Sequence, residues 1–222
     1  MEYRIEHRPV FTIIRINLKQ GEQFRAEAGA MVSMTPTLKL QAKGAGKGVF
    51  GTLKAAVGGE SFFATLFTAE TGDGELVLAP SVLGDILKME LTGNTIYAEG
   101  GAYLAGSPGL DLSTKGSFKA MISGEGLFLQ KISGTGIVFL NSFGAVFEKV
   151  LAPGEVHIVD TNHIVAFEET VQYKVKKAAK GIFSTLASGE GLVCEYTGPG
   201  KMWVQTRAIS SLAKALGKFI TK

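Results

Sequence analysis

Gly59-Glu60, Gly124-Glu125 and Gly189-Glu190 stand 65 residues apart, and each pair has matching neighbours. A glycine lies nine positions before each glutamate (Gly51, Gly116, Gly181), and a large apolar residue lies seven before (Leu53, Phe118, Phe183). Two apolar residues follow each pair: Phe62 and Phe63, Leu127 and Phe128, Leu192 and Val193. A period of this length means that one supersecondary unit is used several times, because a single short unit cannot bury its own apolar face. Downstream, each copy has a Gly-x-Gly turn (Gly72 and Gly74, Gly134 and Gly136, Gly198 and Gly200) leading into an apolar run, which reads as the turn of a hairpin. Upstream, each has a strand-like segment: Ala26 to Met34, Ala98 to Leu104 and Val159 to Phe167. The expectation is an all-β single body over residues 1–222, with three tandem β-repeats around a pseudo-threefold axis. Repeat one runs over about 21–83, repeat two over about 93–147 and repeat three over about 154–208, with a C-terminal helix over about 207–221.

Composition agrees with a folded β chain. Of 222 residues, 29 are glycine and only 6 are proline, which favours tight turns and bulges over collagen or Pro-rich linkers. Mean hydropathy is +0.21 and charged residues make up 19%, so disorder is excluded. The net charge of +3 does not by itself predict nucleic-acid binding, which needs a clustered basic face. Cys194 is the only cysteine, so there is no intrachain disulfide. The start, Met1-Glu2-Tyr3-Arg4-Ile5-Glu6, has neither the apolar run of a signal peptide nor the composition of a transit peptide, and a cytoplasmic location is expected. The longest apolar stretch, 136–150, is broken by Asn141, Ser142 and Glu148, and no transmembrane helix is expected.

The run Gly46-Lys47-Gly48-Val49-Phe50-Gly51-Thr52-Leu53-Lys54, followed by Gly59-Glu60-Ser61-Phe62-Phe63, resembles the signature of the altered-inheritance-of-mitochondria protein 24 family. Glu27 to Val32, Gly74 to Pro80 and Tyr97 to Ala105 extend the likeness over nearly the whole chain. The resemblance implies an attenuator-like, double-stranded β-helix-like β fold, related to the tryptophan RNA-binding attenuator protein and repeated within the chain. Mitochondrial members are tied to respiratory function and inner-membrane organisation, and the family supplies no catalytic residues.

No catalytic, metal or cofactor residues are expected, and the chain does not read as an enzyme. His157 and His163 would lie about 20 Å apart along one strand, too far to share an ion unless the chain turns at Asp160, Thr161 and Asn162. Cys194 sits in an apolar strand, where a buried, inert thiol is expected. Gly44-Ala45-Gly46-Lys47-Gly48 fails the phosphate-loop template, with Gln41 where the first glycine belongs and Gly48 where a Ser or Thr would hold magnesium. Glu60, Glu125 and Glu190 would repel one another if they converged, so they are expected at separate strand starts, paired with lysines or turn amides.

Surfaces offer more. The connections before each Gly-Glu pair mix basic and large apolar residues: Lys47, Val49, Phe50, Leu53 and Lys54, then Lys115, Phe118 and Lys119, then Lys180, Ile182 and Phe183. Gathered on one rim, they would suit an anionic membrane surface or a protein partner. Ile209, Leu212, Ala213, Leu216 and Ile220 recur at helical spacing, with Lys214, Lys218 and Lys222 elsewhere on the helix. Docking of this helix onto its own β body is expected. Together these features favour a non-enzymatic scaffold or interaction protein that forms homo-oligomers, with nucleic acid not expected as a partner. The alternative is a small-ligand or nucleic-acid binding module on the attenuator-like fold.

Overall fold

The structure, a computed structural model, describes residues 1–44, 63–115, 128–177 and 192–220. Among these residues the chain is built almost wholly from strands. The strands fall into three consecutive stretches of chain, about 1–78, 86–141 and 146–205, and the first holds β1 (Glu2–Glu6), β2 (Ile13–Leu18), β3 (Gln23–Glu27), β4 (Met31–Met34), β5 (Leu38–Gly44), β6 (Phe63–Ala69) and β7 (Gly74–Leu78). The second holds β8 (Ile86–Glu99), β9 (Tyr103–Gly106), β10 (Asp111–Lys115) and β11 (Leu129–Asn141). The third holds β12 (Val146–Leu151), β13 (Val156–Asp160), β14 (Ile164–Glu168), β15 (Gln172–Lys177), β16 (Leu192–Thr197) and β17 (Gly200–Gln205), and the chain closes with helix α1 (Ile209–Ile220).

One antiparallel pairing scheme runs through all three stretches. β5 pairs with β6 up to Gly44 opposite Phe63, β10 with β11 up to Lys115 opposite Leu129, and β15 with β16 up to Lys177 opposite Leu192. On their other edges, β6 takes β3, the first half of β11 takes the second half of β8, and β16 takes β13. A second ladder places β7 between β2 and β4, the second half of β11 between β8 and β9, and β17 between β12 and β14. In the middle stretch β8 and β11 run unbroken through both ladders, with one register shift between Ser133 and Thr135. β4, β9 and β14 share a β-bulge, at Val32, Leu104 and Val165 respectively, where one extra residue bends the strand. Two further ladders join the stretches: β3 pairs with β9, and β8 with β14.

Local sequence explains the strands. In β2, Ile14, Ile16 and Leu18 point into the core while Arg15 and Asn17 alternate outward, the period-2 pattern of a half-buried strand. The second half of β8 lies between β11 and β14, and Ile96, Tyr97 and Ala98 are buried in succession. The buried residues form three clusters. One surrounds Ile14, Phe24 and Phe139, a second Ile96, Val138 and Leu140, and a third Phe167, Tyr196 and Met202.

Two local expectations need correction. The Gly-x-Gly segments do not turn hairpins, because β6 does not pair with β7, nor β16 with β17; the chain instead passes from one ladder to the other. Gly74 stands at such a corner, where a Cβ would press on the side chains of Thr35 and Leu38. The upstream segments are each two strands joined by a tight turn. The Ala30 amide donates to the Glu27 carbonyl (3.2 Å), Ala102 to Glu99 (2.9 Å) and His163 to Asp160 (2.9 Å).

Candidate functional site

The expected rim residues Lys47, Val49, Phe50, Leu53, Lys54, Phe118, Lys119, Lys180, Ile182 and Phe183 lie outside the described residues. So do the motif residues Gly51, Gly59, Glu60, Gly116, Gly124, Glu125, Gly181, Gly189 and Glu190. The structure describes the bases of these connections. Each springs from the paired ends of two neighbouring antiparallel strands, and Lys115 is the last residue of β10.

The C-terminal helix differs from expectation. Residues 209–216 of α1 are all exposed, so the helix does not dock its apolar face on the β body. Ile209 (52%), Leu212 (42%), Leu216 (49%) and Phe219 (83%) leave that stripe open to solvent. At 100° per residue they cover one side of the helix, and Lys214 projects from the opposite side. The sequence of α1 contains no acidic residue. It is joined to the body at Ala208, which is buried, and its first turn hangs on that residue's carbonyl.

Titratable groups within the body are held structurally. Asp85, between β7 and β8, is 4% exposed and accepts hydrogen bonds from Arg8 Nε and Nη2 at 2.8 Å each and from the Ile86 amide at 2.8 Å. This pair fastens the segment after β1 to the junction of the first two stretches. His157 lies on β13 and His163 on the turn before β14, and Nδ1 of His163 is 2.8 Å from the Gln205 carbonyl. No cluster of three His, Cys, Asp or Glu occurs among the described residues. Cys194 is fully buried in β16, and burial pushes its thiol pKa up, away from a reactive thiolate. Burial also raises the Glu27 carboxyl to about 7. An open cleft of about 420 Å³ is lined by Asn17, Lys19, Asp73 and Glu75, among others. There the Lys19 ammonium is paired with Asp73 at 2.8 Å.

Two surfaces were missed by the sequence reading. Every residue of β4, Met31 to Met34, is exposed, and so are the first three residues of β13, Val156 to Ile158. Both are edge strands of their sheets. Their signal was present in the sequence, as two apolar segments placed just before and after the tight turns, but exposure depends on which strands lie beside them.

These features define an all-β protein of interlocked antiparallel ladders, with an exposed amphipathic helix at its end. A profile of the mitochondrial biogenesis AIM24 family matches residues 3–207, and the chain belongs to that family. It is 30% identical over 229 residues to an uncharacterized protein of Streptococcus pyogenes serotype M6, a match that covers 99% of this chain and 91% of that one. A crystal structure of a Streptococcus pyogenes protein has the same fold, with a TM-score of 0.81 and 28% identity over 98% of this chain and 99% of the other. No helix among the described residues is long and apolar enough to cross a membrane.

Proposed function

We propose that this chain is a non-enzymatic scaffold that self-associates through its β body and rests on anionic membrane surfaces through α1. The observation that carries this reading is the open apolar stripe of α1 from Ile209 to Phe219, set against lysine and no carboxylate on the same helix. Twelve residues give a helix about 18 Å long, too short to span a bilayer but suited to lying in the headgroup plane. Its lysines, with Lys47, Lys54, Lys115, Lys119 and Lys180 of the three connections, would each add about 1 kcal/mol of attraction to an anionic leaflet. A nucleic-acid role has less behind it, since Trp203 is 7% exposed within β17 and offers no stacking face.

Flotation of the full chain with phosphatidylcholine vesicles, with and without phosphatidylserine, tests the membrane half. The chain floats with anionic vesicles at low salt and is released at high salt. The double variant Leu212→Glu, Leu216→Glu stays at the bottom with an unchanged melting temperature. No flotation at low salt overturns this half, and salt-dependent retention of single-stranded RNA instead would favour the nucleic-acid reading.

A further inference from the structure

The three stretches can be aligned by register alone. Glu27 lies opposite Ala64, whose other neighbour is Lys43; Glu99 lies opposite Leu129, beside Lys115; Asp160 lies opposite Val193, beside Lys176. With Glu27, Glu99 and Asp160 as equivalent positions, β3, β8 and β13 correspond, and so do β4, β9 and β14 beyond the tight turn. The two ladders that join consecutive stretches then share one register. Ala26 faces Ala105 and Arg25 faces Gly106 in the first, while Ala98 faces Ala166 and Tyr97 faces Phe167 in the second.

A third joint of the same kind would place Val159 opposite Ser33 and Ile158 opposite Met34. Within the chain that joint is open, since β4 is the edge of a four-stranded sheet and β13 the edge of a three-stranded one. Burial records the difference. Val32 is 59% exposed, against 0% for Leu104 and 1% for Val165 at the equivalent bulge. Ile158 is 60% exposed, against 8% for Tyr97, whose ring stacks on Phe167 with centroids 5.5 Å apart. Neither open strand has the lysine or proline that commonly blunts a sheet edge. The bulge in β4 does not block pairing, because β9 and β14 have the same bulge and are paired on that edge.

We infer that β13 of one copy pairs antiparallel with β4 of a second copy, with Ile158 opposite Met34, continuing between chains the joint that occurs twice within each. This rests on the self-association half of the proposed function and names its surface. The two edges differ, so the contact is head-to-tail and generates a ring or a filament rather than a face-to-face dimer.

Two single-cysteine variants, Ile158→Cys and Met34→Cys, test it, because directly opposite strand positions fall within disulfide reach and the native Cys194 is buried. Under mild oxidation the mixture forms a two-chain band on a denaturing gel, while either variant alone remains single-chain. Val156→Cys mixed with Met34→Cys, out of register, does not cross-link. In parallel, Ile158→Lys lowers the light-scattering mass from a multiple of 23.5 kDa to a single chain. If the wild-type chain is an oligomer but neither result appears, the pairing is overturned and self-association through another surface stands. A wild-type mass of 23.5 kDa at every concentration overturns both.

Discussion

Replacing Glu27 with Gln should make the protein more stable at pH 8 and leave it nearly unchanged at pH 4. Glu27 ends β3 at the tight turn into β4, and burial lifts its carboxyl from 4.5 to about 7. Between those values the folded chain holds a proton that the unfolded chain has released. Stability from this group is therefore full below about pH 4.5 and is lost as pH rises through 7. The full shift corresponds to about 3 kcal/mol, and partial contact of the side chain with water brings this to between about 1 and 3 kcal/mol. Glutamine keeps the shape without the charge, so the variant gains that amount at pH 8, a rise of about 3–10 °C in melting temperature for a chain of this size. The comparison is clean above pH 5, because Glu6, Glu22, Asp73 and Glu155 are held below the ordinary carboxylate range by hydrogen bonds and titrate in more acidic solution. Urea unfolding of both proteins from pH 4 to 8 provides the measurement. Parallel curves, with no difference that grows between pH 5 and 7, would refute the burial of this carboxylate.

Asp85→Ala removes the anchor of Arg8 and leaves the Ile86 amide without its buried acceptor, for a loss of about 3 kcal/mol in urea unfolding. Phe167→Ala empties a site walled by Tyr97, Tyr173 and Tyr196 and costs about 3–5 kcal/mol, visible in the same assay. Gly84→Ala forces a Cβ into the Ser142 carbonyl where Gly84 bridges Gly144, and soluble expression should fall sharply.

Strand content and family were legible because their signals are local. The Gly-Glu spacing marks three connections, and the structure shows antiparallel strand pairs ending at Gly44 and Phe63, Lys115 and Leu129, and Lys177 and Leu192 on either side of them. Partner choice was not legible. A strand, a glycine turn and a second strand look the same whether the two pair or diverge into separate ladders, and β6 and β7 diverge. Nor did hydrophobic pattern reveal the corner at Gly29, where a positive φ of 88° divides what reads as one strand. The helical spacing from Ile209 to Leu216 was plain, but whether that stripe meets a surface depends on packing far along the chain. The apolar edges of β4 and β13 escaped notice for the same reason, since Val32 and Leu104 look alike in sequence and differ only in what lies next to them.

Backbone hydrogen exchange in Met31–Met34 and Val156–Asp160 of the full-length protein, followed from dilute to concentrated solution, tests the open joint most directly. Pairing between copies predicts that both segments slow together on concentration, by at least about tenfold, towards the protection of β9 and β14. Only the outward amides, those not bonded to β7 or β16, report the joint, and fast exchange of these at every concentration would contradict it.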